Sequence, residues 1–458
     1  MVPPVWRRPK PIQSTELVTD TNPSLQRAAL NNLGLLYANG QGVAQDFAQA
    51  LSCYEQAAQA GAAQAQSNLA VMYAHGQGVA QDFVQARKWY GQAAAQGLAY
   101  AQSNLAALYA NGQGGDVDYA QALHWYGAAA AQGDTTAQLN LGVMYANGQG
   151  VTQDYTQALA CYQSGAASGD PAAQYGLGVM YANGHGVPRD AALAQHWYTL
   201  AAEQGHVHAQ FNLGFMFATG QGAALDPERG LYWYERAAQA ADPAAQYNLG
   251  VMYSLGQGAP RDPDKALQCY RAAAQQGDAA AQYNLGLMYA TGQDVEKDEA
   301  IALAWYQMAA DQGDPLAQYH LGVMIANGQG TIASDEVAMQ WLQLAADQGE
   351  AQAQYDLGAL HQASKPPNYP QALRAYRLAA AQGHADAQAA LGWLYAHGAG
   401  VLQDYVRAHM WFNLGAVGGL ADAATGRDQV AQQMTPAQIA QAQDMARACQ
   451  KNQFADLD

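Results

Sequence analysis

The stretch Ala281-Gln-Tyr-Asn-Leu-Gly-Leu-Met-Tyr289 decides the reading of this chain. Leu285 and Tyr289 are four residues apart, so on a helix they share a face. Gly286 sits beside them, where a missing side chain lets another helix approach. The pattern returns along the chain. Tyr37, Tyr73, Tyr109, Tyr145, Tyr181, Phe217, Tyr253, Tyr289, Ile325 and His361 are 36 residues apart at every step. Tyr395 follows after 34, because the loop around Ser364-Lys365-Pro366-Pro367 is shortened. A fixed step of this length marks an array of helical repeats.

Each unit divides the same way. After the first helical segment, a loop such as Asn147-Gly-Gln-Gly-Val151 breaks the helix with two glycines. Asp154 then opens a second segment whose Ala158, Tyr162 and Ala166 fall on one stripe, and Gly169 closes the unit. Asp46, Asp82, Asp118, Asp190, Asp226, Asp262, Asp298 and Asp404 recur at the position of Asp154. There a carboxylate can accept the first free amide protons of a helix. Ser334 and Asn368, also good caps, take over in repeats nine and ten. Proline follows the cap in Asp226-Pro227 and Asp262-Pro263, and before the first helix in Asp170-Pro171, Asp242-Pro243 and Asp314-Pro315. This acid ladder therefore reads as caps and not as catalytic carboxylates.

With these motifs in place, the chain resembles the Sel-1-like repeat family, relatives of the tetratricopeptide repeats. The resemblance rests on Leu141-Gly142-x-x-Tyr145, Gly148-x-Gly150-Val151, Asp154, Ala158 and Ala166-Ala167, recurring in phase from about Leu25 to Gly419. Ile325, His361, Asp294, Ser364 and Leu30 depart from the pattern. The resemblance implies an all-α, right-handed α-α superhelical solenoid of about eleven helix-turn-helix repeats. It also implies a role in bringing proteins together, mostly in bacteria. Some cysteine-rich relatives are reported to touch cell-wall or β-lactam ligands, so a hydrolase or cell-wall-binding protein is the alternative. The disulfide that those relatives carry in each repeat is absent here.

Composition agrees with a scaffold. The 458 residues carry a formal net charge of −17, with 20 Lys and Arg against 37 acids, which argues against a nucleic-acid partner. No apolar run is long enough to span a membrane, so membrane insertion is not expected. No signal peptide is recognised in Met1 to Lys10, so a cytoplasmic location is favoured, with non-classical export to a host as a variant. A monomer is favoured. Cys53, Cys161 and Cys269 are 108 residues apart and each precedes a tyrosine, at a position where other repeats hold Trp89, Trp125, Trp197, Trp233 and Trp305. Three repeats exceed the reach of a disulfide, so these read as buried free thiols. Residues 1–22 read as a flexible leader, 23–419 as the solenoid, and 420–458 as a C-terminal helical cap and tail. In that cap Thr435 serves as helix cap, and Ile439 and Met445 could lie against repeat eleven.

A binding site would sit on the first helices, which line the concave side in such arrays. By the 100° step, Tyr283 points away from Leu285 and Tyr289. Its column holds Ser67, Ser103 and Leu139, then six aromatics: Tyr175, Phe211, Tyr247, Tyr283, Tyr319 and Tyr355. Such a stripe can grip a peptide, or can simply pack between neighbouring helices. The column just before it (Gln66, Gln102, Gln138, Gln174, Gln210, Gln246, Gln282, Gln318, Gln354 and Gln388) reads as bonding to a neighbouring backbone. Catalytic and metal sites are not expected, and no cofactor is implied. His206-x-His208 lacks a third ligand, and no serine or cysteine shows a paired base. Symmetry breaks only at repeats nine and ten, where the changes add no evident convergence of polar residues. The expectation is a non-enzymatic scaffold or adaptor that binds a protein or peptide partner in a concave groove.

Overall fold

A computed structural model describes residues 23–451, which form 24 helices with no strand among them. The expected leader, residues 1–22, lies outside the described residues, as does the tail beyond Lys451. First and second helices alternate, and most are 13 residues long, such as Ala279–Thr291 and Glu299–Asp311. Helices this short are marginal alone and are held by what they bury. In repeat eight Leu285 and Ala281 are fully buried on the first helix, and Ala302, Tyr306 and Ala309 on the second. The core cluster then continues into repeat nine through Ala317, Leu321 and Ala338. Each buried leucine contributes roughly 1.5–3 kcal/mol. The many buried alanines let the helices approach closely.

The caps behave as the acid ladder implies. Asp298 accepts from the amides of Ala300 and Ile301, both at 2.9 Å. Ser334 and Asn368 accept likewise from Val337 and Gln371. Two glycine positions show why the side chain is missing. A Cβ at Gly286 would stand 2.6 Å from Cδ1 of Tyr306, so this glycine admits the tyrosine of its own second helix. The second loop glycine, Gly78, combines φ of +71° with a Cβ position only 2.6 Å from the carbonyl oxygen of Phe47 in the preceding repeat. No other residue fits either demand without displacement.

Contacts gather the chain into two compact units, divided between Trp233 and Tyr234. In the second unit, the helices Ala421–Ala431 and Pro436–Lys451 follow the last repeat. Thr435 and Gln438 form a reciprocal capping box: the Thr435 amide donates to Gln438 Oε1 at 2.8 Å, and the Gln438 amide to Thr435 Oγ1 at 3.3 Å. Ala442, Ala446 and Cys449 are buried in one cluster with Leu391 and Trp411, and Met445 packs against it. Ile439 is not part of that cluster.

Candidate functional site

The glutamine column is structural, and it does more than bond one backbone. Gln282 is 1% exposed, and its Nε2 donates to the carbonyl of Ala274, on the preceding repeat's second helix, at 3.1 Å. Its Oε1 accepts from Gln312 Nε2 at 2.8 Å, at the end of its own repeat's second helix. One side chain thus ties three helices. The same pair of bonds recurs at Gln66, Gln102, Gln246, Gln318 and Gln354. The second row, which includes Gln96, Gln132 and Gln276, escaped the sequence reading. Its signal was the Gln-Gly pair that closes most units.

The aromatic column lies half-buried. The 100° step places Tyr283 opposite the core of its own helix, but second-helix rings reach it. Tyr283 and Tyr306 have ring centroids 5.8 Å apart, and the pairs Tyr175–Tyr198, Tyr247–Tyr270 and Tyr355–Tyr376 repeat this contact at 5.7–6.0 Å. Histidines add to it. Tyr175 stacks on His206 at 4.6 Å and Tyr355 on His384 at 5.0 Å. Both histidines also cap the next first helix, each accepting through Nδ1 at 3.3 Å from the amide of Ala209 or Ala387. Phe211 and Tyr319 are half-buried as well. Burial, and then nearby carboxylates, push the hydroxyls of Tyr283, Tyr319 and Tyr355 above the usual tyrosine range.

Within the first unit a groove of about 1210 Å³ opens along the first helices. Its walls come from Ser103 to Asn111, Thr136 to Asn147, and Ala172 to Met180, with Tyr119 and Tyr155 at the starts of second helices. No Asp, Glu, Lys or Arg lines it. Its polar groups are mainly amides, with the histidines His75, His185 and His206. Asn104 and Asn140 occupy one column, Asn111 and Asn147 a second, Gln113 and Gln149 a third. Asn104 and Asn140 donate to the carbonyls of Tyr100 and Thr136 at 2.7 and 3.0 Å, which holds their amides on the helix surface. Of the six aromatics in the stripe, only Tyr175 lines this groove. The groove was missed in sequence because its amides also suit a plain solvated helix.

In the second unit, polar groups do converge where repeats nine and ten break symmetry, which corrects the expectation of none. Asp356 stands where most repeats hold asparagine. It accepts from Gln352 Nε2 at 3.3 Å, and its charge bears on Tyr319 of the preceding repeat. Gln352 Oε1 in turn meets His384 Nε2, from the following repeat, at 2.9 Å. Glu350 opens the helix Ala351–Ala363 without a side-chain cap bond. Its charge acts on Tyr283, Tyr319 and His320. Burial, reinforced by the exposed Asp386, pushes Asp356 above the ordinary carboxylate range.

This arrangement offers rings, amides and charge. Cys53 and Cys449 are buried, Cys161 and Cys269 half-buried, and all four are free thiols. Burial pushes the thiols of Cys53, Cys161 and Cys269 up, away from the reactive thiolate. Among the described residues no group of three or more His, Cys, Asp or Glu side chains could hold a metal ion. No helix among them is long and apolar enough to cross a membrane.

Comparison with known proteins agrees with the architecture. The Sel1 repeat family matches eleven successive segments, from residues 27–61 to residues 385–418. A protective antigen present in uropathogenic Escherichia coli strains, displaying an SLR fold, is 32% identical with a TM-score of 0.74, over 95% of this chain and 97% of its own. A Sel1 repeat protein from Oxalobacter formigenes is 31% identical with a TM-score of 0.56, over 77% of this chain and 98% of its own. No curated protein matches the sequence.

Proposed function

This chain belongs to the Sel1 repeat family, and from that premise we propose that it is a non-enzymatic scaffold holding a protein or peptide along its first helices. The observation that carries the reading is the groove of the first unit, which no Asp, Glu, Lys or Arg lines. An extended peptide advances about 3.3 Å per residue and presents backbone donors and acceptors on both sides. Columns of asparagine and glutamine can satisfy such groups without demanding a charge, and Tyr119, Tyr155 and Tyr175 add apolar area with polar tips. In the second unit, Tyr247, Tyr283 and Tyr355 are half-buried rings of the same column, each packed against a second-helix tyrosine. Rings held this way lose little entropy when a partner arrives.

A displayed library of random peptides selected on the immobilised protein tests this. Enriched peptides should bind the wild type and weaken at least about tenfold, or 1.4 kcal/mol, against Asn140→Trp, which fills the groove. The melting temperature of that variant should be unchanged. A selection that enriches nothing, or peptides that bind the filled groove equally well, overturns the proposal.

A further inference from the structure

The second helices of repeats eight and nine carry apolar side chains on the face turned away from the core. On Glu299–Asp311, Ile301, Trp305 and Met308 follow at steps of four and three, one stripe of a helix. Val337, Trp341 and Leu344 repeat the stripe on Asp335–Asp347. The tryptophans are half-buried, while Met308 and Leu344 are 46% and 47% exposed and Ile301 and Val337 39% each. Trp341 packs against the core cluster of repeat eight, so the two stripes adjoin. Beyond Leu344 lies a cleft of about 410 Å³, closed on its far side by Leu357 and His361. Apolar side chains exposed singly are ordinary, but a contiguous set on neighbouring helices marks an interaction surface.

The chain itself shows what such a face accepts. Leu414 stands in the column of Met308 and Leu344, yet it is only 3% exposed. It shares one buried cluster with Ala442, Ala446 and Cys449 of the helix Pro436–Lys451, which packs on Tyr405–Val417. Where the column is covered, a helix covers it. Charge then selects the kind of helix. The two stripe helices contain no Lys or Arg, but hold Glu299, Asp311, Asp335, Glu336 and Asp347. Among the described residues, only Glu299 of these five has a basic partner, Lys297. Asp311 and Asp347 follow Met308 and Leu344 by three residues and so flank the stripe. Each accepts from a glutamine one turn earlier, at 2.8 and 2.7 Å, a neutral donor that leaves the charge in place. In repeat ten Tyr369–Ala381 carries Arg374 and Arg377 instead, which bounds the acidic stretch. An anionic lipid surface, or a second copy with its net charge of −17, would be repelled.

We infer that the outer faces of Glu299–Asp311 and Asp335–Asp347 form a docking surface for a basic amphipathic helix of a partner protein. The apolar side of that helix lies on Met308, Leu344 and the two tryptophans, and its Lys or Arg side chains meet Asp311 and Asp347. The surface lies in the second unit and stands whether or not the groove of the first unit binds a peptide.

The probe is a fluorescein-labelled peptide of Leu-Lys-Lys-Leu-Leu-Lys-Leu twice in tandem, apolar on one helical face and basic on the other. Its anisotropy is followed as the full chain is added up to about 200 μM, with a glutamate-for-lysine peptide as control. The variants are Met308→Gln with Leu344→Gln, Asp311→Asn with Asp347→Asn, and Val84→Gln, an equally exposed apolar position in the first unit. The lysine peptide should bind the wild type and Val84→Gln alike and weaken as salt rises from about 50 to 500 mM. It should weaken at least about tenfold in the first double variant and about threefold or more in the second. Both double variants should melt as the wild type does, because the altered side chains are exposed. No binding of the lysine peptide, equal binding of the glutamate peptide, or unchanged binding to either double variant overturns the inference.

Discussion

Substituting Ser168 by glutamine should stabilise the first unit, and the reason lies in a missing rung. In seven repeats a glutamine at the end of the second helix donates to the column glutamine at 2.7–2.9 Å. Gln138 belongs to that column, but the residue 30 positions later is Ser168. Gln138 Oε1 is consequently buried without a hydrogen-bond partner. The backbone at Ser168, φ −83° and ψ 0°, matches that at Gln96, φ −84° and ψ 5°, where the rung is made. No main-chain adjustment is required. A new bond contributes about 1 kcal/mol net, and satisfying a buried orphan adds up to a further 1–2 kcal/mol. Immobilising the glutamine side chain costs up to about 1.5–2 kcal/mol. The expected gain is therefore about 1 kcal/mol, a rise of roughly 2–4 °C in melting temperature for a unit of this size. Urea unfolding followed by circular dichroism gives the midpoint, and amide exchange at the end of Tyr155–Ala167 shows whether the gain is local. The decisive control is Gln138→Leu, which removes the acceptor. Ser168→Gln should gain nothing in that background, and an equal gain in both backgrounds refutes the rung.

Two further expectations concern backbone strain and acid. Ala241 occupies the position that glycine fills at the end of the other repeats, and it holds φ of +61°. Ala241→Gly should raise the urea midpoint by the equivalent of about 1 kcal/mol, and a lower midpoint would show that no strain is stored there. Burial lowers the pKa of His206, His320, His361 and His409 below the ordinary histidine value. The unfolded chain then binds more protons than the folded one once the pH drops below about 6.5, so stability is full above that value and is lost as the pH falls. Protonating His206 would also convert its Nδ1 from an acceptor into a donor and put a positive charge at a helix start. The urea midpoint should fall between about pH 7.5 and 5.5, and His206→Asp, the cap residue used at Asp170 and Asp242, should flatten the slope. A midpoint that is level or rising over that range would contradict the assignment.

How far the sequence could be read depended on whether the controlling contact lay within one unit. The 36-residue step, the carboxylate caps and the glycines before Tyr306 or Tyr162 are legible because each answers a demand of its own helix or its nearest partner. Tyr283 was only half legible. Its direction follows from the helix, but its exposure is set by Tyr306, on a helix whose crossing angle no periodicity reports. The cluster around Asp356 was not legible at all, since Tyr319, Gln352, Asp356 and His384 come from three consecutive repeats. Stacking brings column neighbours together, so in such an array the effective neighbours of a residue are those about one repeat away. Read down a column, Asp356 replaces asparagine, Glu350 replaces a capping aspartate, and Ser168 replaces a bonding glutamine. Each of these breaks a regularity that packing alone would preserve. The first two put charge beside aromatic rings, while the third merely leaves a bond unmade. That contrast separates a change of surface character from a tolerated defect, because only the former alters what a partner would meet.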